Sequence, residues 1–404
     1  MRLDEPSLKE WRRGWRIVLG AMACAGFGTP LFYYVFSIFS AGIMAEFQIS
    51  RGTLANVQAL LVIGALVAPA IGRLSDRRGF AFVFSLSTLF MVGAHLAMGT
   101  IVHRFWAFAS LVFVYGVAGV GSAHLAYTRP INAWFDHGRG LALGFAAVGV
   151  AFTTFFAAPL LEQIVARYDW HAGFLALAAS AGLICLPLTL LLIRDAPTDL
   201  GDKPKVSPLA GAADPALFKT RDFWALAAAM ICVAIPGAGV VSQASPLVQE
   251  EGVGPALAAL AISSYALGQL LGRLAAGWFL DRANPNRVAF LFTFLPACGL
   301  MILAAFPLPA WLAIAAIGVI GIQQGAEIDL FAYFVARRFG MAQYGRIYGW
   351  IVAMSWIGNA AGILLFGQLH DATQSFVIAE ALASILLVFG AILFTLVQLP
   401  KRGA

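Results

Sequence analysis

Three ionisable residues stand inside long apolar stretches of the sequence: Arg273, Glu327 and Asp329. An ionisable side chain held at the centre of a lipid bilayer costs roughly 2.5–3.5 kcal/mol on insertion scales, so each would need a partner or a function there. The planar guanidinium of Arg273 can bind a carboxylate through two parallel hydrogen bonds, which indicates an anionic ligand. The alternative is a permanent ion pair with an acid on a neighbouring helix.

The two acids lie two residues apart, so on a helix Glu327 and Asp329 would project about 200° apart and could not both face one cavity. Burial away from water favours the neutral form of a carboxyl group, which suits a group that carries a proton. One acid could therefore titrate while the other pairs structurally. The alternative is that one or both acids permanently balance Arg273 or Arg337. His124 is a further candidate for a proton site, since histidine titrates near neutrality.

Uncharged polar side chains in the apolar stretches could complete an anion site, because tyrosine hydroxyls and amide groups donate hydrogen bonds. Adjacent tyrosines on a helix point about 100° apart, so only one of a pair would be central. On span seven, Pro236, Gly237, Gln243 and Pro246 predict a broken helix that could flex as a gate. The candidates for substrate binding are Tyr33, Tyr34, Gln243, Gln269 and Asn359.

The composition indicates where such a site would lie. Of 404 residues, 61% are hydrophobic and only 11% are charged, and the mean hydropathy is +0.84. Soluble chains carry about 25% charged residues, so this chain must meet lipid along most of its length. The four cysteines are scattered and no nucleotide-binding or catalytic motif occurs, which predicts no cofactor, no metal and no enzyme activity.

Twelve membrane spans of about 20 apolar residues fit the sequence, which predicts an all-α integral membrane protein. One long polar segment, 194–221, is typical of a linker because it is rich in Pro, Gly and Asp. The predicted spans are 15–43, 53–72, 81–101, 106–134, 141–163, 171–193, 222–247, 256–280, 287–307, 310–336, 345–368 and 375–398.

Lysine and arginine are concentrated at the span ends on the side of the N-terminus, and the opposite ends hold only Arg51, Arg104 and Arg167. This bias predicts that both termini and the linker are cytoplasmic. It also accounts for the net charge of +6 without nucleic acid as a partner. Short loops and compact termini favour the bacterial inner membrane.

An internal repeat appears at an offset of 205 residues, which carries Gly72, Asp76 and Arg77 onto Gly277, Asp281 and Arg282. The repeat predicts two pseudo-symmetric six-helix bundles, 1–193 and 222–404, joined by the linker. In proteins built this way the substrate site is expected at the midplane between the halves.

Glycine spacing predicts close helix contacts. Gly72 is expected to let two helices approach each other. Pairs four residues apart predict further contacts, either as ordinary tight packing or as sliding surfaces. These pairs are Gly140 and Gly144, Gly268 and Gly272, Gly345 and Gly349, and Gly358 and Gly362.

The turn GRLSDRRG (72–79) resembles the signature loop of the major facilitator superfamily, and GWFLDR (277–282) is a weaker copy. With twelve spans and the repeat, the resemblance covers the whole chain. It implies a latch that closes the cytoplasmic side, in which an aspartate meets the positive end of a neighbouring helix. A topological anchor is the alternative. The gating residues implied or considered are Asp76, Arg77, Arg129, Asp281, Arg282 and Arg337.

Within this superfamily the chain most resembles the monocarboxylate transporter and oxalate–formate exchanger branch. The resemblance lies in GQLLGRLAAGWFLD (span eight), GAEIDLFAYFVARRFG (span ten) and YGRIYG (span eleven). It implies that Arg273 contacts the carboxylate of the substrate. Gln269 stands where members of this branch often carry Asp, and residues 29–36 hold no counterpart of a lysine found in the animal carriers.

These observations predict a secondary transporter that moves a small organic anion, a monocarboxylate in the first instance, together with a proton. Alternating access is the expected mechanism, and a monomer is the expected functional form. The alternative within the same fold is a proton-driven exporter of lipophilic or cationic compounds, in which the acids of span ten attract the substrate. A membrane sensor without transport is a third possibility, against which the broken helices and the repeated latch argue.

Overall fold

The computed structural model describes residues 5–135, 137–193, 220–340 and 343–400. Regular structure in these ranges is helical throughout. Most of the predicted linker, residues 194–219, lies outside the described residues. Large apolar side chains such as Leu183, Leu191 and Trp311 are exposed on the helix surfaces, as expected where a helix meets lipid rather than water.

The part of the chain before the linker forms ten α-helices, and short 3₁₀ or π turns join several of them end to end. They are α1 (Glu5–Phe27), α2 (Thr29–Phe47), α3 (Arg51–Ile63), α4 (Ala68–Arg78), α5 (Phe80–Thr100), α6 (Phe105–Ala118), α7 (His124–Trp134), α8 (Arg139–Arg167), α9 (Trp170–Ala179) and α10 (Leu186–Leu192).

The part after the linker forms seven described helices, of which six are 20 to 30 residues long. They are α11 (Arg221–Ser242), α12 (Ala244–Glu250), α13 (Pro255–Arg282), α14 (Pro285–Ala305), α15 (Ala310–Phe339), α16 (Tyr344–Thr373) and α17 (Val377–Leu396).

Each of the twelve predicted spans falls on one of these helical stretches, and eleven are long and apolar enough to cross a membrane. Among the described residues, the second span, which contains the 3₁₀ turn Gly64–Val67 between α3 and α4, is not one of these eleven. The first span is broken at Gly28, where φ and ψ are −81° and −162°. A Cβ at Gly28 would overlap the carbonyl oxygens of Cys24 and Ser122.

The predicted break in the seventh span is confirmed. The helix α11 contains Pro236 and ends at Ser242, and Gln243 leaves the helical region with φ −122° and ψ 15° before α12 begins. Proline removes one backbone hydrogen bond of the helix and clashes with the preceding turn.

The chain divides into two compact units. Unit 1 comprises Met1–Ile49 with Val57–Lys205, and unit 2 comprises Ser50–Asn56 with Val206–Ala404. The first residues of α3 therefore belong to unit 2. In unit 1, a buried cluster joins α1 (Val18, Ala21, Cys24 and Ala25) to residues of α5, α7 and α8 and to Cys185.

Glycines hold α13 and α15 together in unit 2. A Cβ at Gly268 would overlap the carbonyl oxygen of Gly318, and a Cβ at Gly272 would overlap that of Ile322. In the other direction, a Cβ at Gly325 would overlap the carbonyl oxygen of Gln269. The close contact predicted for the Gly268 and Gly272 pair is thus confirmed, and backbone meets backbone along this helix pair.

The prediction also holds for Gly358 and Gly362, where a Cβ would overlap Ala234 and the carbonyl oxygen of Ile235 on α11. It is wrong where the Cβ position has no described atom within 4 Å, namely at Gly72, Gly144, Gly345 and Gly349. In the turn that contains Gly72 it is Gly79 that requires glycine, because its φ of +84° disfavours other residues.

The contact between α13 and α15 is testable through a matched glycine pair on one helix. We expect Gly272→Leu to lower the melting temperature of the detergent-purified protein by several degrees, because overpacking costs about 1–3 kcal/mol. Gly277→Leu is the control, since no described atom lies within 4 Å of its Cβ position. Equal melting temperatures for the two variants would contradict the packing described.

Candidate functional site

The charged candidates of unit 2 lie on the two helices that the glycines hold together. Arg273 follows Gly272 on α13, and Glu327 and Asp329 follow Gly325 on α15. Because the backbones touch here, a long side chain on one helix reaches the next helix without crossing other side chains. The helix pair therefore places a guanidinium beside the two acids.

Arg273 pairs with Asp329, with its Nε 3.9 Å from Asp329 Oδ2. This distance is too long for a hydrogen bond, so the contact is electrostatic and loose. The side chains are 28% and 42% exposed, respectively. Charged side chains within a membrane span face the protein interior or a water-filled cavity. The opposite charges of the pair therefore balance each other, although neither side chain is fully buried.

Glu327 lies in a different environment, with only 3% of its surface exposed. Gln324 Nε2 donates to Oε2 at 2.8 Å, and Ser355 Oγ donates to Oε1 at 3.5 Å. Gly237 on α11 leaves room for this arrangement, because a Cβ there would overlap Gln324 Oε1. The donors to Glu327 are uncharged, and no described cationic side chain forms an ion pair with it.

Two tyrosines of α16 that sequence reasoning did not select lie beside these groups. Tyr344 and Tyr348 stack with ring centroids 5.3 Å apart and an interplanar angle of 10°. Tyr348 lies close enough to Asp329 and Arg273 to interact with both electrostatically. The signal was present in YGRIYG, because residues four apart share one helix face.

The amide candidates divide between two places. Gln269 lies one turn before Arg273 on α13, and Asn359 lies one turn after Ser355 on α16; both are half-buried. Gln243 belongs instead to a separate polar cluster at the break in span seven. There its Oε1 accepts a hydrogen bond from Arg51 Nη1 at 3.2 Å.

The tyrosine candidates lie in unit 1, on α2. The rings of Tyr33 and Tyr34 meet edge to face with centroids 5.3 Å apart. Tyr34 packs against the buried cluster that includes Val18 and Phe84. Tyr34 therefore contributes to the packing of unit 1.

The candidate gating and proton residues are only partly described. The side chains of Asp76, His124, Arg129 and Asp281 lie outside the side chains that the structure describes, so their roles stay predictions. Arg77 is exposed in the last turn of α4.

In unit 2, Arg282 and Arg337 line one surface pocket together with Asn284 and Asn286. Arg282 also lies over the ring of Trp278, with its guanidinium carbon 4.6 Å from the ring centroid. An ion pair that sequence reasoning missed joins the neighbouring Arg338 to Asp222.

Comparison with known proteins identifies the class as a membrane transporter with twelve transmembrane helices in two six-helix bundles. The chain belongs to the major facilitator superfamily, whose model matches residues 22–363 and 232–402. The sequence resemblance to this superfamily is confirmed, and its members are transporters rather than enzymes.

Among curated proteins, the chain is 27% identical to "Monocarboxylate transporter 11" of Mus musculus, over 94% of this chain and 86% of that protein. It is 27% identical to "Monocarboxylate transporter 13" of Bos taurus, over 97% and 91%. Among solved structures, it resembles a D-xylose–proton symporter with a TM-score of 0.73 and 15% identity, over 96% of this chain and 98% of that one. This last likeness shows the fold.

The looseness of the Arg273 and Asp329 pair can be measured by a double-mutant cycle with Arg273→Met and Asp329→Asn. We expect a coupling free energy of unfolding below about 1 kcal/mol, as for partly exposed pairs. Unfolding of the purified protein in detergent would measure it. A coupling of about 3 kcal/mol or more would instead indicate a sealed structural ion pair.

Proposed function

We propose that this protein is a secondary active transporter that carries a small organic anion, most simply a monocarboxylate, across the membrane by alternating access and together with a proton. The observation that carries the proposal is Arg273, a guanidinium inside an apolar span that is balanced only loosely and remains partly exposed. The names of the monocarboxylate transporters to which the chain is similar support the same substrate class.

The geometry of the pair suits binding of a carboxylate. The nitrogen nearest Asp329 is Nε of Arg273, which leaves the two Nη atoms for an incoming anion. A carboxylate can take both in the fork geometry that arginine prefers. Gln269 and Asn359 are proposed to hydrogen-bond the substrate, with Tyr33, Tyr34 and Gln243 as further candidates.

Competition for Arg273 supplies a physical reason for proton coupling. A substrate carboxylate that binds the guanidinium weakens its attraction for Asp329, and a carboxylate left without its cation inside a span is costly. Uptake of a proton by Asp329, or by the buried Glu327 two residues earlier on the same helix, removes that cost. The loaded site then carries no more net charge than the empty one.

Several further features belong to the proposal. We place both termini on the cytoplasmic side of a bacterial inner membrane and take the monomer as the functional form. Residues 1–193 and 222–404 act as the two bundles, with 194–221 as linker. His124 is a second candidate proton site, and Asp76, Arg77, Arg129, Asp281, Arg282 and Arg337 are the proposed gating residues.

Export of lipophilic or cationic compounds is the competing function. The specific observation in its favour is that Asp329 is more exposed than Arg273, at 42% against 28%. In an exporter the acids of α15 would attract the cation, and Arg273 would serve only to balance them.

Replacement of Arg273 separates the two functions. In proteoliposomes we expect Arg273→Gln to reduce uptake of radiolabelled monocarboxylates at least about thirtyfold, which corresponds to the loss of about 2 kcal/mol of binding. Arg287→Gln is the control, since Arg287 is an exposed arginine near the start of α14 in the same unit. Absence of uptake of any carboxylate by the unaltered protein would refute the anion assignment, and retained cation export in Arg273→Gln would favour the exporter.

The acids of α15 determine the coupling in this proposal. We expect the double variant Glu327→Gln and Asp329→Asn to lose acceleration of uptake by an inward proton gradient, because neither residue can then accept a proton. Exchange between internal and external carboxylate should persist, since it needs no net proton movement. Uptake measured with and without a pH gradient tests this, and an unchanged response to the gradient would remove the proton role of both acids.

A further inference from the structure

A cluster of two imidazoles and one carboxylate lies at one end of unit 1, apart from the charged groups on α13 and α15. Its members are Glu46, His103 and His171, and one ligand atom from each lies within 4.8 Å of the others. Two histidines and a carboxylate are ligands that Zn²⁺ and related divalent ions prefer. We propose that this cluster is a binding site for a divalent transition-metal ion, Zn²⁺ in the first instance.

Three separate elements of unit 1 supply the ligands. Glu46 lies in the last turn of α2, His103 lies in the turn between α5 and α6, and His171 is the second residue of α9. A bound ion would therefore tie together three helix ends that the chain connects only through long segments. No spacing motif in the sequence brings these residues together.

The surroundings of the ligands orient them. The indole of Trp170 stacks on the ring of His171 with centroids 3.8 Å apart, and its Nε1 donates to Glu46 Oε2 at 2.8 Å. Asp169 caps α9 by accepting from Ala172 N at 2.8 Å, and its Oδ2 lies 3.7 Å from His171 Nδ1. Asp169 therefore lies on the Nδ1 side of the His171 ring, and Nε2 is the nitrogen that faces Glu46.

The distances fit a site that needs small adjustments. Metal–ligand bonds of about 2.0–2.1 Å in a tetrahedron place ligand atoms roughly 3.3 Å apart. His171 Nε2 lies 3.7 Å from Glu46 Oε2, and it is buried without a hydrogen-bond partner among the described residues. Glu46 and His103 are exposed, so rotation of their side chains can close the remaining gap of about 0.4 to 1.5 Å between ligand atoms.

Simple ion pairing is the competing account of the cluster. It requires a protonated His171 between Glu46 and Asp169, yet both nitrogen–oxygen distances are 3.7 Å, longer than a hydrogen bond. It also leaves His103 without a role. A metal ion uses all three groups and occupies the nitrogen that has no partner.

Titration of the full-length, tag-free protein in detergent with ZnCl₂ tests the proposal. We expect one Zn²⁺ bound per chain at micromolar concentration and a rise of several degrees in melting temperature. Co²⁺ should bind with the intense visible absorption of a tetrahedral nitrogen and oxygen site. MgCl₂ should have neither effect, because Mg²⁺ prefers six oxygen ligands.

Variants of the three ligands show whether binding occurs here. His103→Gln and His171→Gln should each weaken Zn²⁺ binding at least tenfold, while His137→Gln, an exposed histidine of unit 1 outside the cluster, should not. Glu46→Gln keeps an acceptor for Trp170 and removes the anionic ligand, so it tests the metal without removing that hydrogen bond. Absence of binding below 1 mM Zn²⁺, or equal affinity in the three ligand variants and His137→Gln, would overturn the assignment whatever the transported substrate is.

Discussion

Lipid offers no hydrophobic driving force between helices, so helix pairs inside a membrane depend on close packing. In unit 2 this requirement is met where α13 and α15 touch through Gly268, Gly272 and Gly325. The position of every charged group in the candidate site follows from that contact. Arg273 follows Gly272, at the point where the backbones of α13 and α15 meet, and its side chain pairs with Asp329.

The same contact gives two acids of one helix different surroundings. Asp329 faces the guanidinium and remains partly exposed, whereas Glu327 is buried among amide and hydroxyl donors. The helix α15 thus carries two carboxyl groups with different partners. Asp329 pairs with a cation, whereas among the described side chains Glu327 accepts hydrogen bonds only from uncharged groups. A site of this kind can exchange one anion for another at the cation and still hold a second group able to take up a proton.

Polar groups near the helix ends supply a second kind of contact between helices. Arg51 with Gln243, and Arg338 with Asp222, join separate helices within unit 2. Glu46, His103 and His171 do the same for three elements of unit 1. The helices are therefore linked by polar contacts at their ends and by glycine packing in their middle parts.

Much of the architecture was determined by the sequence alone, because hydropathy and helix periodicity are local properties. The twelve spans, the break before Gln243, the close contacts at Gly272 and Gly362 and the superfamily all followed from composition, proline and glycine placement and the repeated turn. The angular separation of Glu327 and Asp329 was likewise predictable from their spacing.

Tertiary structure alone decided which partner each polar group has. Nothing local indicates that Asp329 rather than Glu327 meets Arg273, that Gln243 is bonded to Arg51, or that Glu46 lies beside two histidines far along the chain. Nor does the motif around Gly72 show that no described atom packs against this glycine. The reason is that a side chain's partner depends on how distant helices pack, and sequence spacing describes only one helix at a time.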